Sequence, residues 1–313
     1  MILKSLILAF AFLLTACAAS GVREVTLDQQ LPRKHELTAT PFFPQALYHC
    51  GPAALATALN AVDIKVSPEQ LVPEVYIPSR KGSLQIEMLA AARRHGALAV
   101  KIPPELGAVL KEISAGNVVV VMQNLGLSWA PSWHYAVVVG YDLDKELVWL
   151  RSGTFERFEM TLSTFQRTWA RSQYWAFVAL KAGELPASAG VDALISALVS
   201  FEKTAGAAQA LTAYTAAVKR WPDNLVLLTG LGNSAFVSGD FPGAAAAFRN
   251  AIAAHPESAI AYNNLANVQL AQGDVLGAKV SAEQALRLAD KDQKLQSQIQ
   301  KTLDEVNAYS IKK

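Results

Sequence analysis

Apolar positions fall along the chain in three regimes. The first is a short block, Ile7 to Leu14, almost wholly apolar and preceded by Lys4. It is shorter than the ~20 residues that a spanning helix needs. A positive start, an apolar stretch and small residues at its end read as a secretory signal peptide over residues 1–16. The second regime, residues 41–180, mixes helical and strand periods. Gly51–Val62 predicts a helix of small residues, and Leu106–Ser114 a short helix closed by Gly116. Pro68–Val75 and Leu84–His95 predict amphipathic helices opened by serine caps at Ser67 and Ser83. Val118–Met122, Tyr135–Tyr141, Leu147–Leu150 and Tyr174–Leu180 are bulky or β-branched runs and predict strands. The third regime, residues 192–313, is alanine-rich and helical throughout. Residues 17–40, polar and without a period, read as a tether, and 181–191 (KAGELPASAGV) as a linker.

The third regime repeats. Leu231-Gly232, Ala244, Phe248, Ala251 and Pro256 are followed 34 residues later by Leu265-Ala266, Ala278, Ala282, Ala285 and Asp290. A weaker copy lies upstream at Ala210, Tyr214, Ala217 and Pro222. A 34-residue helix–turn–helix period with small residues at the helix crossing resembles tetratricopeptide repeats. The resemblance implies a solenoid with a capping helix over Lys291–Tyr309 and a surface for a protein partner.

Composition narrows the function. Lys and Arg number 28 against 26 Asp and Glu, a formal net charge of +2, so no basic excess points to nucleic acid. There are two cysteines, Cys17 and Cys50, which excludes a disulfide framework and an all-cysteine metal site. No cofactor is implied. Leu14-Thr15-Ala16-Cys17 resembles the bacterial lipoprotein box. That resemblance implies lipidation of Cys17 and anchoring in the cell envelope, on the outer membrane facing the periplasm if the cell has two. Cys50 is then the remaining thiol.

Cys50 precedes Gly51-Pro52, and proline suits a first helical position because its missing N–H would be unpaired there. The thiol therefore sits at a helix N-terminus, where about half a positive charge favours the thiolate. Cysteines so placed have pKa values of roughly 3.5–7.5, so a lowered value is expected. Gln45, five residues earlier, is placed to join the Cys50 amide in an oxyanion hole. A nucleophilic cysteine needs a histidine. His35 lies in the tether, His255 at a repeat turn, His95 at an exposed helix end, and His49 adjoins Cys50 with its ring directed away. His134, opening the strand Tyr135–Tyr141, remains. Trp129 and Trp133 flank it, as cleft walls or as core.

Gln45-x4-Cys50-Gly51-Pro52-Ala53 followed by His134-Tyr135-Ala136-Val137-Val138-Val139-Gly140-Tyr141-Asp142 resembles papain-like cysteine peptidases, closest to the double-glycine leader peptidase family. The resemblance covers about residues 40–180. It implies an α+β papain-like domain before the solenoid, Cys50 as nucleophile, His134 as base and acid, and Gln45 as oxyanion donor. It implies a peptide or protein substrate cleaved through a thioacyl intermediate. One departure stands out. The family's Asp, some 18 residues after the histidine, is replaced by Arg151-Ser152-Gly153-Thr154. The residue orienting the imidazole is then Ser152, Thr154 or a backbone carbonyl, and Ser152 is the candidate. Asp142 is eight residues along the strand, about 26 Å away. Without a carboxylate the domain could also act as a weakened, binding-only scaffold. A related acyl transferase, such as an amidase or transpeptidase, is a third reading.

Overall fold

The computed structural model describes residues 30–289 and 292–311, so the signal peptide, Cys17 and most of the tether lie outside it. Nine strands and twelve α-helices are seen among the described residues. The strands are β1 (Lys34–Glu36), β2 (Tyr76–Ile77), β3 (Gly82–Ser83), β4 (Leu98–Lys101), β5 (Val119–Asn124), β6 (Trp133–Asp142), β7 (Leu147–Ser152), β8 (Phe155–Thr161) and β9 (Ala176–Leu180). The helices of the first half are α1 (Cys50–Ala61), α2 (Pro68–Val75), α3 (Gln85–Arg94), α4 (Leu106–Ser114) and α5 (Leu162–Ala170).

An antiparallel sheet in the order β4-β9-β5-β6-β7-β8 forms the centre, and β1 pairs with β6. Both faces of its middle strands are covered, so β5 and β6 are nearly continuous apolar runs, without the alternation of a half-exposed sheet. On one face α1, α2 and α3 pack against Val120, Val137, Val139 and Phe177. On the other, Val119, Val121, Ala136 and Val138 meet α4 and α5. β1 takes the edge of β6 at Gly140–Asp142, past the end of β5, and the β6–β7 register shifts between Val138 and Gly140. Glycine is required there: a Cβ at 140 would lie 2.7 Å from the Trp149 ring and 2.8 Å from the His35 carbonyl.

Several local expectations are corrected. Lys34–Glu36 is a strand, and the Thr38 and Thr40 carbonyls are held by Arg151, so the end of the stretch read as a tether belongs to the domain. Ser67 caps its helix through a full capping box with Gln70. Ser83 does not cap; its backbone pairs with Tyr76, and α3 begins after Leu84. Besides β1, the elements β2, β3, β4, β8 and α5 were not expected.

The second half contains α6 (Val191–Ala205), α7 (Ala207–Arg220), α8 (Leu225–Val237), α9 (Phe241–Ala254), α10 (Ala259–Ala271), α11 (Val275–Leu288) and α12 (Gln293–Ile311). The 34-residue period reappears in the caps: Asn224 and Ser258 each accept a backbone N–H, as do Asp240 and Asp274. Ala210, Ala244 and Ala278 are fully buried at the same repeat position. Residues 181–190 do not form a free linker. Glu112 of α4, fully buried, accepts from Asn117 Nδ2 (2.7 Å), Ala187 N (3.1 Å), Ser188 N (2.7 Å) and Ser188 Oγ (2.6 Å). Leu194, Leu198 and Phe201 of α6 join the core beneath β4, and this core runs on to Tyr214 and Leu227. One apolar cluster therefore crosses the boundary between the two halves. No helix of the described residues is long and apolar enough to cross a membrane.

Candidate active site

Cys50 is the first residue of α1, as the Gly-Pro start dictates. Ser83 presses on this end of the helix. A Cβ at Gly51 would lie 2.2 Å from Ser83 Oγ, so only glycine fits behind the thiol. The backbone amides of Tyr135, Gly51 and Cys50 itself bond the sulfur and favour its anion. Burial nevertheless outweighs them and pushes the thiol above its ordinary value, which corrects the lowered value expected from the helix terminus. Desolvation penalises a charge more than one helix end repays here.

His134 lies near the start of β6, next to the Tyr135 amide that reaches the sulfur. Its Nε2 is 2.8 Å from Ser152 Oγ on β7. Burial holds the imidazole below its usual value, the neutral form being favoured. Burial is the largest cause of both shifts, and each shift favours the uncharged form, a thiol and a neutral imidazole. Asp142 stands at the opposite end of β6, where its Oδ1 accepts the Asp144 and Lys145 amides and shapes the turn.

Gln45, Cys50 and Ser152 line one narrow cleft together with Phe43, Tyr135 and Arg151. The loop bearing Gln45 is tied down by its own amide, which donates to the Gly153 carbonyl (3.1 Å). Arg151 was not anticipated. It is 6% exposed and donates to the Glu156, Thr38 and Thr40 carbonyls, clamping the entering chain to the β7–β8 turn beside Ser152. A charged residue ending the apolar run Leu147–Leu150 was its one signal. Tyr135 was read only as a strand residue. Its ring is buried and its hydroxyl donates to the Ser83 carbonyl (3.2 Å), joining β6 to β3 across the site. Burial and the neighbouring Cys50 push that hydroxyl far above its normal range.

The β5–β6 loop ahead of His134 is held by Asn124 Oδ1, which accepts the Gly126 and Ser132 amides, and by Arg171 on the Gly126 carbonyl. It exposes Leu125, Leu127, Trp129 and Trp133, so neither tryptophan is core. The other histidines are engaged elsewhere: His49 packs edge-on to Tyr76, His95 bonds Glu74, and His255 bonds the Asp223 carbonyl. His35 sits in β1. Among the described residues no three His, Cys, Asp or Glu side chains are grouped to hold a metal ion.

A cysteine at the N-terminus of a helix packed against an antiparallel sheet, sharing a cleft with the serine that a strand-borne histidine bonds, fits the papain-like class of fold. The comparisons agree. Residues 34–176 match the model of the Peptidase_C39-like family, and residues 229–293 match a tetratricopeptide-repeat model. The chain therefore carries a C39-like peptidase domain followed by tetratricopeptide repeats. Among solved structures it is similar to one described as a C39-like peptidase from Bacillus anthracis. That likeness is 18% identical, covers 47% of this chain and 98% of that chain, and has a TM-score of 0.41. It is also similar to the first tetratricopeptide domain of Spaghetti (RPAP3) bound to an HSP90 peptide, at 20% identity, 36% of this chain, 86% of that chain and a TM-score of 0.33. No curated protein matches the chain.

Proposed function

We propose that the chain is a cysteine peptidase anchored in the bacterial cell envelope, with repeats that bind a protein partner or substrate. The observation that carries this reading is the contact of His134 Nε2 with Ser152 Oγ, while the adjoining Tyr135 amide bonds the Cys50 sulfur. With Nε2 engaged, Nδ1 is the nitrogen left to receive the thiol proton. As the sulfur attacks the peptide carbonyl, its proton passes to Nδ1 and the carbonyl oxygen gains charge between the Gln45 amide and the Cys50 N–H. The C–N bond breaks, the leaving amine takes the proton from the imidazolium, and a thioacyl enzyme remains. Water, deprotonated by the same nitrogen, releases the acid.

Ser152 acts as a positioning residue: it holds the ring but, carrying no charge, does little for the imidazolium. Replacing Ser152 by alanine is expected to lower kcat about tenfold with KM unchanged, and Ser152→Thr to restore part of it. Unchanged turnover in Ser152→Ala would remove serine from the mechanism.

A second reading, a binding scaffold with little turnover, is favoured by the lack of a carboxylate on His134 and by the neutral resting pair. A peptidyl electrophile separates the two. Reaction with Cys50 that collapses in His134→Ala supports the peptidase. Reaction at the rate of a free thiol, indifferent to His134, supports the scaffold. Analysis of products with water or added amines as acyl acceptors tests for a transferase.

Anchoring rests on Cys17. Lys34 pairs with Asp142, at the end of β6 opposite His134. A ten-residue strand spans about 30 Å, so the described chain enters the sheet at the end away from His134. Mass spectrometry of the mature N-terminus, with Cys17→Ser as control, tests the anchor.

A further inference from the structure

The cleft at Cys50 is tight, about 10 Å³, room for roughly one water molecule. A peptide backbone can lie along its mouth, but the cleft has no space for a side chain beside the bond. Adjoining it is a much larger cavity of about 440 Å³. Gln45 and Ala53 line both, so these two residues form the partition between them. A carbonyl seated against Gln45 therefore carries its neighbouring residue over this partition and into the second cavity.

The second cavity has a distinct chemistry. Pro44, Ala53, Pro68 and Val72 give it apolar walls, and His49 and Glu69 supply its only titratable groups. The His49 ring is set by its edge-on contact with Tyr76, 4.7 Å between centroids. Glu69, in the first turn of α2, is exposed. The Ser67 contact, its own backbone amide and the nearby His49 hold its carboxyl below the usual range, so it is ionised at neutral pH. Apolar walls ending in one carboxylate match a side chain with an aliphatic stem and a cationic head.

We propose that this cavity is a specificity pocket for a lysine or arginine next to the scissile bond, with Glu69 receiving the cationic head. The proposal rests on the peptidase reading for its orientation, but binding can be measured without turnover. Three labelled hexapeptide mixtures, identical except for Lys, norleucine or Glu at one fixed position, are titrated against the Cys50→Ala protein by fluorescence anisotropy.

The Lys mixture is expected to bind about fivefold more tightly than the norleucine mixture, the scale of one exposed ion pair. Adding Glu69→Gln should erase that difference, and Glu69→Lys should turn the preference toward the Glu mixture. Equal binding of all three mixtures, no binding at all, or a Lys preference that survives Glu69→Gln overturns the pocket. The same mixtures offered to the unmodified protein report hydrolysis separately. A Glu69-dependent Lys preference without cleavage leaves the pocket standing and removes the peptidase reading.

Discussion

Replacing Cys50 with alanine is expected to abolish peptide hydrolysis, and His134→Ala to lower kcat by roughly 10²–10⁴-fold, the range of a positioned general base. The pH dependence is the sharper test. Burial pushes the Cys50 thiol up and the His134 imidazole down, so protonated sulfur and neutral ring coexist across the physiological range. Hydrolysis then requires His134 to be neutral. Because its folded value lies below 6.5, activity should persist as pH falls through 6.5 and fail only lower, as the ring takes up a proton. Alkylation by iodoacetamide, which reads the thiolate directly, should be slow at pH 6 and still climbing near pH 9. A preformed thiolate–imidazolium pair would instead label rapidly from weakly acidic pH onward. A flat labelling profile between pH 6 and 9 would show the neutral pair to be wrong. The same burial ties stability to pH. Charging His134 is penalised only in the folded state, so its contribution is complete above 6.5 and declines as pH falls toward the depressed folded value.

The second large effect concerns Glu112. Each carboxylate oxygen accepts two donors, Asn117 Nδ2 and Ala187 N on one, Ser188 N and Oγ on the other. Leucine at this position would strand four donors in the interior. The expected loss is about 3 kcal/mol, or roughly 6–12 °C in Tm at about 2–4 °C per kcal/mol. Glutamine should be nearly as harmful, since either orientation of its amide sets an NH₂ against two donors. Thermal unfolding of Glu112→Leu and Glu112→Gln, with limited proteolysis across residues 181–190, checks this. A Tm within 2 °C of the parent protein for both variants would mean that this carboxylate does not hold the segment.

What the amino-acid order disclosed, and what it hid, divides along a physical line. Features written in neighbouring residues were readable: Gly51-Pro52 starting α1, the Ser67 cap, and the 34-residue spacing of small residues at the helix crossings. The strands that failed to show lack a buried face of their own or are very short. β8 reads FERFEMT, with its side chains largely at the surface, and it is a strand because β7 offers it an edge. β4 has four residues, and β1 has three and fits because Gly140 carries no Cβ to meet it. Ser83 carried the local signature of a cap, but tertiary pairing with Tyr76 took its backbone. The chemistry divides the same way. Residue types and spacing pointed to Gln45, Cys50, His134 and Ser152, and the fold gathers Gln45, Cys50 and Ser152 in one cleft with His134 bonded to Ser152. Protonation could not be anticipated, because a helix dipole acts locally while desolvation depends on everything packed around the sulfur. Arg151 and Glu69 escaped for the same reason. Their meaning depends on carbonyls and cavity walls supplied by remote segments.

The continuity of the interior from β4 through α6 to Tyr214 and Leu227 carries a practical consequence. Trimming the chain after Leu180 would not release a tidy peptidase-like half. It would strip Leu194, Leu198 and Phe201 from the underside of the sheet and leave a greasy scar. The first helices of the array are thus seated against the sheet as by a jig rather than a leash.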